Sequence, residues 1–398
     1  MKILHITPYY EPDFHRGGVV RSTSILCREL VRLGHEVTVY TTRDELSPEK
    51  NPLGVPCDVG GVQVVFFENR LGGFGFGLDM VRAARNVRDF DVVHIAAFWQ
   101  IFGLPVLLSA GRASVPCVVS PRGSLVMVRN RTFESAKYQI FYRMINRHVL
   151  KRASAVHFTA ELERLDARAL GLALLSFCIP NAVPVEEFTA LPDRLEARKK
   201  LGIADDRPVV LFVGRLDRRK ALEVLLKAFA RVSGRGRNSV LVLAGPDFGE
   251  QEMLETLSRS LKIDDRVIFL GLVNPKERIE MLAAADLFTL TSHAENFGNS
   301  GAEAMAAGVP VLISDQCGVA EGAEEAGVGR VVPVDEEQMV SALSEMLADG
   351  EALLEMGLRG PEFAASAYAA AEVARKTACA YGDLISGDRS PACRWADR

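Results

Sequence analysis

Two glutamates flank a glycine-rich turn in the second half of the chain. Glu295 and Glu303 are eight positions apart, separated by Asn-Phe-Gly-Asn-Ser-Gly-Ala. An apolar strand pattern precedes the turn and a helix pattern follows it, which is where an open parallel sheet binds its ligand. Carboxylates beside backbone amides suit a ligand rich in both hydroxyls and phosphate. A nucleotide sugar has this chemistry.

The same segment also permits a purely structural interpretation. Ser300 and Glu303 have the spacing of a capping box, in which the glutamate only accepts a hydrogen bond from the first amide of the helix. Glu295 would then be a solvated loop charge. Three glycines and a proline lie within 13 residues here: Gly298, Gly301, Gly308 and Pro310. This density favours ligand binding, because an ordinary surface turn needs less backbone freedom.

A cluster of cations follows another strand pattern. Gly214 and Arg215 directly follow the run Val209–Val213. Three more cations, the last of them Lys220, come just before a helix. Positive charge at a helix N-terminus opposes the helix dipole, and such a break of a local rule is typical of functional sites. A bound diphosphate, held by the fork of Arg215 and the ammonium of Lys220, would reverse the balance. A solvated basic turn is the alternative.

The first strand pattern leads to a glycine pair, Gly17 and Gly18, just before a helix. Such a pair allows the backbone to approach a ligand closely. It is not the G-x-G-x-x-G fingerprint, and the absence of that fingerprint counts against a nicotinamide enzyme.

His94 lies near the carboxyl end of a strand pattern, on the expected ligand side of the sheet. It is a candidate catalytic residue, and a hydrogen-bonded core histidine is the alternative.

Other chemistries lack a centre in this sequence. Asp89 and Asp91 resemble a D-x-D metal motif, but they precede their strand and so face away from the ligand edge. No other acidic or histidine cluster has metal-ligand spacing, so no metal site is expected. G-x-S-x-G, P-loop and H-E-x-x-H motifs are absent from the sequence.

Apolar runs typical of strands alternate with helical patterns in both halves. They are Lys2–Thr7, Glu36–Thr42, Gly61–Phe67, Asp91–Ile95, Pro116–Ser120, Ala155–Thr159, Pro208–Gly214, Ser239–Gly245, Arg266–Gly271, Asp286–Thr291, Val309–Ser314 and Gly329–Val334. The alternation indicates βαβ units and parallel sheets. The predicted fold class is α/β, with two doubly wound Rossmann-like domains facing across a cleft, residues 1–185 and 186–365. Residues 366–398 are expected to form a helix packing back on the first domain, followed by a polar tail.

The composition fits a globular enzyme of 398 residues with 48% hydrophobic and 25% charged residues. Residues 1–190 carry 22 basic against 18 acidic side chains, and the remainder carries 25 against 33. This asymmetry suits an anionic partner of the first half but is too small to indicate nucleic acid. Seven scattered cysteines without a C-x-x-C pair predict reduced thiols and a cytoplasmic protein. No signal peptide or membrane-spanning run is evident.

Several segments together resemble glycosyltransferase family 4, whose members are retaining enzymes of the GT-B fold. They occur in family order over about residues 1–385: Gly17-Gly18, Asp91-Val-Val-His94, Ser120-Pro-Arg-Gly123, Gly214-Arg215 with Lys220, Leu243-Ala-Gly-Pro-Asp247, Val267-Ile-Phe-Leu-Gly271 and Glu295-x7-Glu303. The last of these is highly specific to the family, and the others are moderately so.

The resemblance implies a role for each candidate residue. Arg215 and Lys220 would hold the donor diphosphate, Glu303 the ribose, and Glu295 the donor sugar, with His94 nearby. Further donor contacts would come from Gly17, Gly18, Gly214, Leu272, Val273, Asn296, Phe297, Gly298, Asn299 and Ser300. Cations would then supply the charge stabilisation that a metal supplies elsewhere, so no cofactor is expected.

The resemblance also implies the partners: a UDP- or GDP-sugar donor and a glycan or lipid-linked acceptor in bacterial-type surface polysaccharide or glycoconjugate synthesis.

Two departures from the family pattern concern the site. Many relatives carry a second histidine where this chain has Ala96, so one donor contact is lost here. The family glycine after the phosphate lysine is Ala221, which we expect a helix to accept. A nucleotide-sugar epimerase of similar fold and an inactive sugar-nucleotide binder remain alternatives.

Residues 129–152 combine basic and apolar side chains with a single acid, Glu134. This pattern predicts a helix lying on an anionic bilayer, and therefore peripheral association with the inner face of the membrane. The alternative is that Tyr138, Phe141, Ile145 and Val149, which recur at helical spacing, pack on the sheet and leave the cations as a solvated face.

Overall fold

A computed structural model describes residues 1–44, 51–69, 78–96, 103–129, 139, 140, 142–203, 207–233, 239–387 and 395. The chain divides into two compact units. The first unit comprises Met1–Ala182 together with Ala370–Arg398, and the second comprises Val183–Ala369. The chain therefore leaves the first unit once and returns to it.

Each unit is built on one sheet. The strands of the first are β1 Lys2–Ile6, β2 Glu36–Thr42, β3 Pro56–Val59, β4 Val62–Phe67, β5 Val92–Ala96, β6 Cys117–Ser120, β7 Ala155–Phe158 and β8 Ser176–Cys178. Those of the second are β9 Val209–Val213, β10 Val240–Ala244, β11 Val267–Gly271, β12 Leu287–Leu290, β13 Val311–Ser314 and β14 Gly329–Val332.

Helices connect the strands. In the described residues of the first unit they are α1 Gly18–Arg32, α2 Leu78–Ala83, α3 Gly103–Ala113, α4 Ser124–Arg129, α5 Arg147–Arg152, α6 Glu161–Ala169 and, after the second unit, α15 Ala370–Ser386. Those of the second are α7 Arg194–Lys200, α8 Leu222–Ser233, α9 Gln251–Ser260, α10 Pro275–Ala284, α11 Asn299–Ala306, α12 Glu336–Met346, α13 Gly350–Leu358 and α14 Gly360–Tyr368.

Strand order locates the ligand edge of each sheet. The first sheet runs β3-β4-β2-β1-β5-β6-β7-β8, with only the β3–β4 pair antiparallel, and the second runs β11-β10-β9-β12-β13-β14, entirely parallel. The order reverses between β1 and β5 and between β9 and β12. Ligands of open α/β sheets bind beyond the carboxyl ends of the strands at these switch points. The predicted α/β class with two parallel sheets is confirmed.

Burial follows from the apolar strand runs. Every residue of β10 and β12 is buried, as expected for parallel strands covered by helices on both faces. In the first unit α15 packs against α1, and its Tyr381 is fully buried. In the described residues, no helix combines the length and apolar character required to cross a membrane.

Candidate functional site

The loops after β9 and β12 meet at the switch point of the second sheet. The amide of His293 donates to the carbonyl of Arg219 at 2.8 Å, and the Thr291 hydroxyl donates to the carbonyl of Lys220 at 2.9 Å. These bonds fix the two loops against each other where β9 and β12 are neighbours. The basic turn and the loop that carries Glu295 therefore form one site.

Lys220 and Glu295 form an ion pair at this site. Both side chains are mostly buried, with 13% and 23% of their surface exposed. The pair joins two predicted site residues that are 75 positions apart in the sequence. It holds the Lys220 ammonium beside the switch point of the second sheet.

Asp217 organises the rest of the basic turn. Its carboxylate lies 3.5 Å from the Arg215 guanidinium and 3.1 Å from that of Arg219, and it accepts the Arg219 amide at 2.8 Å. Burial alone would raise the pKa of Asp217, but the hydrogen bonds from Arg219 and the charge of Arg215 lower it. Arg215 also lies over the Phe248 ring, 4.9 Å from its centroid. Asp217 and Phe248 were not predicted as site residues.

The backbone of the basic turn departs from the expectation only at Ala221. Arg218–Lys220 forms a 3-10 turn, and α8 begins only at Leu222, with Glu223 in its first turn. The cations therefore lie just before the helix, as the sequence predicts. Ala221 is fully buried and has a φ of 49°, so the expectation that a helix accommodates this alanine is wrong. The left-handed conformation costs an alanine about 1–2 kcal/mol relative to glycine, the family residue here.

The N-terminus of α11 carries no side-chain cap. The helix begins at Asn299, and its N-cap is Gly298, which has no side chain to accept from the first amides. The helix terminus therefore presents amides to an anion. Ser300 lies inside the helix, so the capping-box alternative is wrong. Glu303, the fifth helical residue and 4% exposed, instead pairs with Arg278 of α10 at 3.2 Å.

Backbone bonds anchor the turn before α11. Val319 donates to the carbonyl of Phe297 at 2.6 Å, and the amide of Glu295 donates to the carbonyl of Gln316 at 3.0 Å. The buried ring of Phe297 packs edge-on against Tyr368 at 5.3 Å. Phe297 is thus an anchor whose side chain faces the core. The neighbouring predicted contacts are all partly exposed: Asn296, Asn299 and Ser300.

Other predicted contacts lie on neighbouring strand ends. A Cβ added to Gly245 would lie 1.8 Å from the Gly214 carbonyl oxygen, so the β9 and β10 ends approach each other at backbone contact. Leu272 is 70% exposed just after β11, with Val273 partly exposed beside it. These two residues lie at the outer edge of the sheet, two strands away from β9.

Replacing Gly298 by alanine is expected to lower the free energy of unfolding by about 1–2 kcal/mol, the cost of a left-handed non-glycine residue. Gly298 has a φ of 98°, and a Cβ would lie 2.8 Å from Leu290 Cδ2. Urea denaturation measures the effect. Gly350→Ala is the control, because that helical glycine has open space and no left-handed φ. Equal stability of Gly298→Ala and the wild type would contradict the prediction.

In the first unit, the glycine pair begins α1 at the switch point of the sheet. Gly17 is the N-cap with a φ of 108°, and Gly18 is the first helical residue. In the preceding loop, Arg16 forms a two-bond fork with Asp44, and His15 Nε2 lies 2.8 Å from the same carboxylate. These contacts fix the approach to the helix from the end of β2.

Asp13, His15 and Asp44 each bring one potential metal-ligand atom within 4.8 Å of the others. This cluster was not predicted, because Asp44 lies at the end of a different strand. The Arg16 fork already neutralises Asp44, and its positive charge opposes a cation at the same place. We therefore do not assign a metal to this cluster.

The prediction that His94 lies on the ligand side of the sheet is wrong. His94 occupies the middle of β5, is fully buried, and has its Nδ1 2.5 Å from the Tyr381 hydroxyl. His5 and His157 lie beside it, at ring distances of 4.7 and 5.4 Å. Burial lowers the pKa of His94 well below its usual value. The structure thus supports the alternative of a core histidine.

Each of the two units is a doubly wound α/β unit. The second carries a cation–carboxylate pair and a helix without a side-chain cap at its switch point. Residues 193–363 match the family Glycosyl transferases group 1, and residues 17–177 match the Glycosyl transferase 4-like domain. The chain belongs to the family 4-type glycosyltransferases with the GT-B fold, as the sequence motifs predicted.

Named relatives agree with this assignment. A D-inositol 3-phosphate glycosyltransferase from Actinosynnema mirum is 30% identical over 336 residues, 78% of each chain. The Corynebacterium diphtheriae protein of the same name is 28% identical over 97% of this chain and 94% of its own.

Solved structures share the fold. Sucrose-phosphate synthase from Thermosynechococcus elongatus has a TM-score of 0.78 at 20% identity, over 97% of this chain and 100% of that one. Anabaena HepE in complex with UDP and glucose has a TM-score of 0.77 at 21% identity, over 96% and 100% of the two chains.

Proposed function

We propose that this glycosyltransferase transfers a hexosyl group from a UDP-sugar to its acceptor with retention of configuration and without a metal ion. The observation that carries the proposal is the Lys220–Glu295 pair beside the uncapped N-terminus of α11. The choice of UDP is supported by HepE, a protein of the same fold that was solved with UDP and glucose.

The donor would occupy the switch point of the second sheet. Arg215 and Lys220 would bind the diphosphate together with the Gly298 and Asn299 amides, and Glu303 would bind the ribose. The exposed Leu272 would contact the base. On donor binding Lys220 would exchange Glu295 for a phosphate, which leaves Glu295 to accept from a hydroxyl of the sugar. Gly17, Gly18, Gly214, Val273, Asn296, Phe297 and Ser300 stay predicted contacts.

Charge stabilisation would do most of the chemistry. As the bond between the anomeric carbon and the phosphate oxygen breaks, negative charge grows on the diphosphate beside Lys220 and Arg215. The acceptor oxygen would attack the same face of the sugar, and its proton would pass to the leaving phosphate. No protein nucleophile is required, and His94, buried in the core, is no longer assigned a part in the reaction.

Donor binding and hydrolysis test the proposal directly. A UDP-sugar is expected to raise the melting temperature more than GDP- or ADP-sugars, and UDP should be released slowly in the absence of acceptor. Exhaustive chelation should leave transfer within about a factor of two, because cations replace the metal. A strict metal requirement would contradict the charge mechanism. Conversion of the donor sugar into its epimer without an acceptor would instead indicate the epimerase, and binding without turnover the inactive binder.

The acceptor is proposed to be a glycan or lipid-linked intermediate reached at an anionic membrane surface. The basic patch comprises Ile140, Arg143, Met144, Arg147, Lys151 and Arg152. Ile140 and Met144 are 62% and 70% exposed, and the four cations are exposed beside them. Val149 is buried and Ile145 partly so, as the packing alternative requires, but the patch itself remains on the surface. Arg131, Phe133, Glu134, Lys137, Tyr138 and Phe141 lie outside the described residues.

Reversing Arg143 and Arg147 to glutamate is expected to weaken binding to anionic vesicles at least about 30-fold, because each surface cation contributes about 1 kcal/mol. Co-sedimentation with vesicles of graded anionic content measures it. The matched control is the reversal of Arg85 and Arg88, which are exposed in the same unit. Binding that ignores lipid charge, or an equal loss in the control, would leave the basic patch as ordinary surface.

A further inference from the structure

Arg122 belongs to the segment Ser120-Pro-Arg-Gly123, which resembles the family, but the proposed binding of the donor does not involve it. It follows β6 in a tight turn, with the left-handed φ of 52° that few non-glycine residues adopt. The buried carboxylate of Glu163 fixes this turn by accepting the Gly123 amide at 2.6 Å and the Thr159 amide at 3.2 Å. These hydrogen bonds therefore fix the position of Arg122 at the carboxyl edge of the first sheet.

The guanidinium is only partly satisfied in the described residues. Nη1 donates to Asn181 Oδ1, whereas Nε is buried without a hydrogen-bond partner and Nη2 forms no bond within the described part of the chain. Nε and Nη2 together form one of the two edges with which an arginine grips an oxyanion through parallel hydrogen bonds. That edge is unpaired: its Nε is buried, and part of the side chain contacts solvent.

The surroundings do not balance the charge. Within the described residues no carboxylate lies at ion-pair distance from Arg122, and the oxygens of nearby Glu163 already accept backbone amides. Burial and the Arg122 charge lower the pKa of both His5 and His157 to about 3, so these neighbours are neutral. The buried hydroxyl of Ser120, two residues away, also has no hydrogen-bond partner. Burial lowers the pKa of Arg122, and the charge of nearby Glu163 opposes this only in part. An under-compensated buried cation is costly, which favours a ligand that supplies a further anion.

We propose that Arg122 binds a phosphate group of the acceptor through its unpaired Nε–Nη2 edge. This inference rests on the proposed function, since it assigns the first unit to the acceptor. The shared chemistry is a phosphate ester, which a soluble polyol phosphate and a lipid phosphate both offer.

Calorimetric titration of the full chain with inorganic phosphate, in the presence of saturating UDP to occupy the donor site, tests the inference. Arg122→Gln is expected to weaken phosphate binding at least 10-fold, and Arg122→Lys by a smaller factor, because lysine keeps the charge but loses the fork. Both variants keep an unbranched side chain at the left-handed position. Arg168→Gln, at an exposed arginine of α6, is the matched control and should bind as the wild type does.

Inositol 3-phosphate, with inositol as its control, and a prenyl phosphate in detergent then distinguish the two sources. Arg122-dependent binding of either ester supports the inference and names the source. Phosphate binding that is equal in the wild type, Arg122→Gln and Arg122→Lys overturns it, as does binding of none of the three phosphates. Should Arg122→Gln fail to fold, Arg122→Lys carries the comparison. Failure of UDP to bind the wild type would instead contradict the donor proposal, so the two failures are separable.

Discussion

Replacing Lys220 by alanine is expected to lower the rate of sugar transfer by about 100-fold or more, the scale for removing one donor of charge stabilisation in the transition state. The loss should appear in kcat and not only in KM, because the charge on the leaving diphosphate grows as the reaction proceeds. Arg215→Ala should behave similarly. Initial rates at saturating donor, together with thermal melting of each variant, measure the effect.

Lys220 is paired with Glu295, so its removal leaves that carboxylate without its partner. Glu295 is 23% exposed, and solvent therefore hydrates it in the variant, which should still fold cooperatively. Lys227→Ala, at an exposed lysine of α8, is the control and should retain normal turnover. Near-normal turnover of the purified Lys220→Ala and Arg215→Ala variants would remove both residues from the mechanism.

Glu303→Gln is expected to weaken UDP binding by about 1.5–3 kcal/mol, the range for hydrogen bonds to a charged group. Glutamine keeps one acceptor oxygen but loses the charge that two ribose hydroxyls would share. Direct titration with UDP measures the affinity. Glu355→Gln, at an exposed position of α13, provides the matched control.

The Arg278 ion pair offers a competing explanation of any loss in Glu303→Gln. If Glu303 acts only by holding Arg278, then Arg278→Gln should weaken UDP binding as much as Glu303→Gln does. If Glu303 contacts ribose, Arg278→Gln should have the smaller effect, since the carboxylate remains. Unchanged UDP binding in Glu303→Gln would return this residue to a purely structural role.

The fold was predictable because most of its strands are recognisable from their own sequence as short apolar runs. β9, β10 and β12 are continuous apolar runs closed by glycine or polar residues, and such runs indicate strands buried on both faces. β3 and β8 escaped prediction for opposite reasons. β3 is an exposed antiparallel edge strand without an apolar run, and β8 is only three residues long.

The site was predictable where charged residues directly follow a strand pattern. Lys220 and Glu295 lie in the loops after β9 and β12, which are neighbours in the sheet. His94 was misplaced because both faces of a doubly wound sheet are covered, so position along the strand does not reveal exposure. The Arg278 partner of Glu303 comes from another helix, and the sign of φ at Ala221 depends on the turn around it. Neither is encoded in local spacing.

The return of the chain to its first unit sets an order of completion during synthesis. Tyr381 reaches His94 across 287 residues and His5 across 376, so neither histidine gains this partner until α15 has emerged from the ribosome. By then the whole of Val183–Ala369 has been made and can close its own sheet. The unit that is begun first is therefore completed last, and until α15 has been made His5 and His94 lack the Tyr381 hydroxyl. A chain that ended at residue 369 would keep all of the second unit and lack this tyrosine.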